Sequence, residues 1–124
     1  MTKHELEDRI VRFASRCVNV CCALPPRKIG SSSFADQLFR SSTSVAANYA
    51  EAAEAESRKD FIHKLKIAMK ELSESRVWLK IIGESAYVPR SKLDDLINET
   101  EELSRILAAS IITARGRHAN SIIT

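Results

Sequence analysis

The sequence predicts an all-α protein, an antiparallel up-down-up-down four-helix bundle, on three observations. Apolar residues recur at alternating steps of three and four through most of the chain, the spacing of one helix face. Four hydroxyl residues stand three positions ahead of a carboxylate, each just before such a pattern: Thr2…Glu5, Ser33…Asp36, Ser57…Asp60 and Ser91…Asp94. In a capping box the hydroxyl accepts from the third N–H of the helix while the carboxylate returns to the cap's own N–H; Glu in the last place is the strict form, so the three Asp versions are weaker. Gly and Pro, three of each, are too few for a turn-rich β protein.

Helices are expected over about 3–24, 34–55, 58–85 and 92–114. In the first, Leu6, Ile10, Phe13, Cys17, Cys21 and Leu24 form one stripe, and Pro25-Pro26 ends it because proline cannot continue the ladder. The second should turn Phe34, Leu38, Val45, Tyr49 and Ala52 inward, and its alanine-rich stretch permits close approach of another helix. The third carries Phe61, Leu65, Ala68, Leu72, Leu79 and Ile82, and closes at Gly83 and Pro89. The fourth buries Leu93, Leu96, Thr100, Leu103, Leu107 and Ile111 and should stop near Gly116.

The corner between helices 2 and 3 is the least marked. Neither Gly nor Pro occurs between Phe34 and Ile82, so propensity alone permits one long shaft. The Ser57…Asp60 start signal argues for a break, as does the apolar face such a shaft would strand. Short connections between helices of ~22 residues, roughly 33 Å long, favour antiparallel neighbours. The expected organisation is one domain over 1–114 and a basic tail, 115–124, that frays.

With 44% hydrophobic residues but only 6% aromatics, the core must be aliphatic. A net charge of +3 is compatible with nucleic acid without demanding it. The longest uncharged runs, Cys17–Pro26 and Ser41–Ala50, are far short of a membrane span. Cys17, Cys21 and Cys22 are odd in number and share one helix, so no disulfide framework fits, and a reducing cytoplasm is expected. Adjacent apolar pairs (Phe61-Ile62, Ile81-Ile82, Leu96-Ile97, Ile106-Leu107, Ile111-Ile112) and Trp78 exceed what one interior covers, which points to self-association.

The run Gln37-Leu38-Phe39-Arg40-Ser41-Ser42-Thr43-Ser44-Val45-Ala46-Ala47-Asn48-Tyr49-Ala50-Glu51-Ala52, continued by Ser57-Arg58-Lys59-Asp60-Phe61, Lys64 to Ala68, Lys70-Glu71, Glu74 and Trp78-Leu79, covers about a third of the chain. It resembles the signature of the bacterial four-helix-bundle family encoded within intervening sequences of 23S ribosomal RNA genes. The departure is Ala52, where many members carry Gly. The resemblance implies an antiparallel four-helix bundle and a homopentamer. More distantly it is similar to the accessory variability determinant of diversity-generating retroelements, which implies a ring that partners a reverse transcriptase and nucleic acid. It implies no chemistry.

Arg40, Asn48, Glu51, Glu71 and Glu74 make a candidate polar seam. Ser41, Ser44, Asn48 and Glu51 fall on one strip, Arg40 is expected to pair with a carboxylate, and Asn48 to bridge helix backbones. The enzyme alternative uses Glu51, Glu54, Glu71 and Glu74, two E-x-x-E pairs with which facing helices hold Mg²⁺. It is loosely similar to the all-α nucleotide pyrophosphohydrolases. E-x-x-E is common in charged helices, however, and Glu99-x-x-Glu102 is a third case. Cys17 and Cys21 lack a second ligand pair for zinc, and Asp60-x-x-His63 occurs once where a di-iron bundle needs it twice.

Arg9, Arg12 and Arg16 form a basic strip on helix 1; Arg58, Lys59, Lys66 and Lys70 form another on helix 3, with Arg115, Arg117 and His118 at the far end. A ring repeats each strip, so weak phosphate contacts add. The plain alternative is a solvated face, with Arg9 near Glu5 and Lys70 near Glu74. No aromatic ladder accompanies the cations, so base stacking is not expected. The expected function is a non-enzymatic, oligomeric binding or scaffold protein without cofactor, contacting RNA or DNA, or a nucleic-acid-handling partner, through Arg9, Arg12, Arg16, Arg58 and Lys59.

Overall fold

In a computed structural model, which describes residues 1–123 and side chains as far as residue 116, the chain forms four α-helices: α1 (Lys3–Ala23), α2 (Ser31–Ala53), α3 (Arg58–Glu84) and α4 (Asp94–Ile123). Each packs on the next, and α4 returns to α1 along a shorter seam. Contacts between neighbours run in opposite senses. Lys64 and Ser75 of α3 meet Glu51 and Ser41 of α2, in reversed order along the two helices. The result is an antiparallel bundle.

Two of the four start signals work as caps. Thr2 Oγ1 accepts from the Glu5 N–H at 3.1 Å and Glu5 Oε2 from the Thr2 N–H at 3.2 Å, a complete box. Ser57 Oγ accepts from the Asp60 N–H at 3.0 Å without the return bond. The other two do not cap. Helix α2 starts earlier, at Ser31 behind Gly30, so Ser33 and Asp36 lie inside it. Gly30 has φ +88°, and a Cβ there would stand 3.1 Å from the Tyr87 hydroxyl. Backbone conformation and space therefore set that boundary. At the fourth helix, Pro89 leads into a 3₁₀ turn over Arg90–Lys92 that contains Ser91, and α4 begins at Asp94 with two aspartates complementing its dipole. At its far end α4 passes through Gly116 to Ile123 rather than stopping there. The side chains of Arg117 and His118, and most of the tail expected to fray, lie outside the described residues.

The α2–α3 corner occupies residues 54–57 and does break the chain. Ile10, Phe13, Cys17, Leu38, Val45, Leu65, Leu72, Leu79, Ile82, Leu93, Leu103 and Leu107 are fully buried, as the stripes require. Cys21, Phe34 and Phe61 sit at the edge of the core instead. Polar residues enter it: Ser41, Ser42, Ser75 and Thr100 are buried. Ser41 and Ser75 face each other across α2 and α3 with hydroxyls 2.9 Å apart, and Ser75 also donates to the Glu71 carbonyl at 2.9 Å. Small hydroxyl side chains let the two helices approach while leaving no buried donor orphaned there. Of the adjacent apolar pairs, Ile97 is buried, while Ile62, Ile81 and Ile106 are half-buried. Ile112 is 69% exposed, and Val11, Phe39 and Val77 also face outward.

The two linkers at one end of the bundle lock together. Lys28 Nζ lies 4.0 Å from the Tyr87 ring centroid, Tyr87 donates to the Ile29 carbonyl, and Phe34 meets Tyr87 edge-on at 5.1 Å. The opposite end, with the α2–α3 corner, carries most of the unpaired charge described below. Replacing Leu72, in the centre of this packing, by Ala should cost about 2–5 kcal/mol in urea unfolding, whereas Val77→Ala on the exposed face should change it by less than ~0.5 kcal/mol.

Candidate functional site

The bundle sorts its charged side chains into clamps and clefts. Arg40 on α2 donates to Glu71 at 3.2 Å and to Glu74, both on α3. These carboxyls respond in opposite directions: burial raises the pKa of Glu71, while the hydrogen bond from Arg40 lowers that of Glu74. The expected Arg40 pairing is therefore present. Asn48 does not bridge two helices, because its amide donates to Ser44 O and Ser44 Oγ, at 2.9 and 3.0 Å, inside α2. Ser41 leaves the supposed polar strip for the core.

Glu51 belongs to a different place. It pairs with Lys64 at 2.8 Å, near the α2–α3 corner. Arg40 and Glu51 are eleven positions apart on α2, which puts them about 16 Å apart along the axis. Glu51 and Glu54 accordingly line a recess at the corner with Glu56 and Asp60, while Glu71 and Glu74 sit with Arg40. The four-glutamate Mg²⁺ arrangement is thus not assembled, for an antiparallel hairpin sets the two pairs at different heights. Among the described residues no cluster of His, Cys, Asp and Glu has metal-holding geometry. Burial raises the Cys17 thiol to about 12 and also raises Cys21, so both behave as core thiols.

The helix-1 basic strip divides. Arg9 reaches across to α4, gripping Glu99 through two bonds of 2.8 and 2.7 Å and Glu102 through a third of 2.8 Å. Glu5 is instead engaged in the Thr2 cap. This clamp closes the bundle where α1 and α4 meet, and the hydrogen bond from Arg9 holds Glu99 below the usual carboxylate range. Arg12 and Arg16 remain exposed. Arg16 lines a small recess of about 250 Å³ with Asn19 and Lys92, away from Arg58 and Lys59.

Arg58 and Lys59 form part of a larger cleft, about 510 Å³, completed by Ile62, His63, Lys66 and Arg115. Helix periodicity explains the set. Positions 59, 62, 63 and 66 share one face of α3, and Arg115 arrives from antiparallel α4. Residues 60 and 64 fall on another face, where Asp60 and Lys64 line the acidic corner recess. Carboxylates and cations of the same two turns are thereby separated, and no carboxylate lines the basic cleft. Lys59, Lys66 and Arg115 make no ion pair among the described residues, in contrast to Arg9, Arg40, Lys64, Arg76 and Arg90.

Comparison with known proteins decides the family. Residues 3–109 match the model of the 23S rRNA-intervening sequence protein family. The chain belongs to that family. A solved relative of this family fold is a protein of unknown function, described as from the S23 ribosomal protein family of Bacteroides thetaiotaomicron; it is 34% identical over 86% of this chain and 97% of its own, with a TM-score of 0.77. None of the curated proteins compared matches. The 23S rRNA-intervening sequence signature on α2 and α3 is therefore mostly architecture: it supplies Leu38, Ser41, Val45, Leu65 and Leu72 to the core and Arg40, Glu71 and Glu74 to a clamp.

Two features escaped sequence reasoning. The partners of Arg9 lie some ninety residues away, and only the E-x-x-E spacing of Glu99 and Glu102 hinted at an acidic face. His63 and Ile62 belong to the basic cleft by the same periodicity as Lys59 and Lys66, a pattern visible once one face of α3 is followed alone. Because Glu99 has a lowered pKa in the folded state, its contribution is present above the unfolded carboxylate pKa and disappears as pH falls through the folded value. Glu99→Gln should thus cost about 1–2 kcal/mol at pH 7 in urea unfolding, and progressively less on acidification. Glu71→Gln, replacing a carboxyl whose pKa burial raises, should be milder at neutral pH.

Proposed function

We propose that this protein is a non-enzymatic, self-associating bundle that binds nucleic acid through its phosphate backbone, using the basic cleft of Arg58, Lys59, His63, Lys66 and Arg115. The observation that carries this reading is the concentration, around one recess, of cations with no carboxylate in the lining. Like charges held close raise the energy of the folded chain until an anion neutralises them. A solvated charged face does not require their convergence from two helices. Arg12 and Arg16 provide secondary contacts, whereas Arg9 is committed to closing the bundle.

Self-association supplies the rest of the affinity. Val11, Phe39, Val77 and Ile112 are apolar and outward-facing, and they offer surface for contacts between copies. Family resemblance favours five copies, so a single weak cleft is presented several times to a polyanion. The setting proposed is the cytoplasm, on the three unbridged cysteines; among the described residues no helix is long and apolar enough to cross a membrane.

Native mass measurement of the purified protein should give a homo-oligomer, with a pentamer as the expected species, and a higher-mass form when single-stranded RNA is added. In anisotropy titrations the affinity should fall roughly 50-fold from about 50 mM to about 200 mM salt if each cleft engages ~4 phosphates. It should vary little with base sequence. The double substitution Lys59→Glu and Lys66→Glu should abolish binding at low salt. Salt-insensitive binding, or equal binding by the double variant, would overturn the reading.

A further inference from the structure

We propose that the basic cleft recognises a nucleotide bearing a terminal phosphate, a phosphomonoester, rather than only the diester backbone of a strand. The inference rests on the preceding reading of that cleft and specifies its ligand. Three observations carry it.

The first is size. At about 510 Å³ the recess falls in the range that encloses small ligands, and it is confined between the first turns of α3 and one residue of α4. A surface for an extended backbone presents its cations in a row. Here Lys59 and Lys66 lie two turns apart, about 10.5 Å along α3, with Ile62 and His63 between them and Arg115 contributed by α4.

The second is charge density. An internal phosphodiester offers one negative charge and two free oxygens. A phosphomonoester carries about −1.5 to −2 charges at neutral pH and three acceptor oxygens. The ammonium groups of Lys59 and Lys66, the guanidinium of Arg115 and the imidazole of His63 exceed what one diester group satisfies, and they match an end phosphate. No carboxylate in the lining competes for them: Lys64, on the neighbouring face, is the lysine that Glu51 neutralises at 2.8 Å.

The third is the apolar member. Ile62, half-buried, is the one uncharged side chain in the lining and gives a sugar or base edge a surface to pack on. The lining contains no aromatic ring, so the base is held without stacking and its identity is weakly read. The chemistry shared by all candidate ligands is the nucleotide monoester, whether the end of a strand or a free nucleotide.

The test uses the full chain and a short fluorescent single-stranded RNA in two forms, 5′-phosphorylated and 5′-hydroxyl, at fixed low salt. The phosphorylated form should bind about tenfold more tightly, the factor of one additional charge-assisted contact. In Lys66→Ala and Arg115→Ala that preference should disappear while weak binding of both forms persists; Lys80→Ala, exposed near the other end of α3, should retain it. A free nucleoside monophosphate added as competitor separates the two sources. Displacement at concentrations similar to the phosphorylated RNA identifies a free nucleotide as sufficient, and displacement by the RNA alone identifies a strand end. Equal affinity for the two RNAs, with both weakened by the cleft variants, would overturn this inference and leave backbone binding standing. A preference that survives in both cleft variants would place the phosphate elsewhere and also overturn it. Binding of neither RNA would remove both readings.

Discussion

The register of α2 against α3 governs everything else in this molecule. It is set in the dry interior, where Ser41 and Ser75 face each other at 2.9 Å among Leu38, Val45, Leu65, Leu72 and Leu79. Leucines alone tolerate sliding, since one aliphatic side chain replaces another at similar cost. A buried hydroxyl does not, because a one-turn slip leaves its donor without a partner. From that register it follows that Arg40 meets Glu71 and Glu74, that Lys64 meets Glu51, and that Lys59, His63 and Lys66 turn toward α4.

The charge distribution is best understood as a division of labour among similar residues. Arg9 and Arg40 each grip two carboxylates on a neighbouring helix, where bidentate or forked geometry suits guanidinium. These clamps sit on the flanks and fix which helix faces which. Lys59, Lys66 and Arg115 perform no such service within the chain. A net charge of +3 thus understates the local field, because the compensating carboxylates are used up in clamps or gathered in the corner recess on another face.

Much of the architecture could be read from residue spacing alone, and the departures have physical causes. Leu65, Leu72, Leu79, Leu103 and Leu107 are buried because a 3.6-residue period leaves them no other role in a bundle. Thr2 caps α1 because nothing precedes it that continues a helix; Ser33 does not cap α2, because Ser31 and Ser32 extend the helix back to Gly30, whose positive φ stops it. Asn48 illustrates a different limit. Its spacing placed it on a polar strip, but an amide on a helix can satisfy itself one turn back, at Ser44, as readily as across an interface. The Arg9 clamp was invisible because pairing between α1 and α4 depends on bundle closure, a property of the whole chain. The glutamate quartet failed for the same reason in reverse: equal spacing along sequence becomes opposed position once the hairpin folds.

The central claim is that the register leaves one set of lysines for a polyanion and commits the others. Acylation of lysines by a water-soluble active ester, followed by mass spectrometry with and without single-stranded RNA, reads this residue by residue. The account predicts that RNA protects Lys59 and Lys66 while Lys64, Lys70 and Lys80 on the same helix react unchanged. Protection spread evenly over α3, or confined to Lys92 at the opposite end of the bundle, would contradict it.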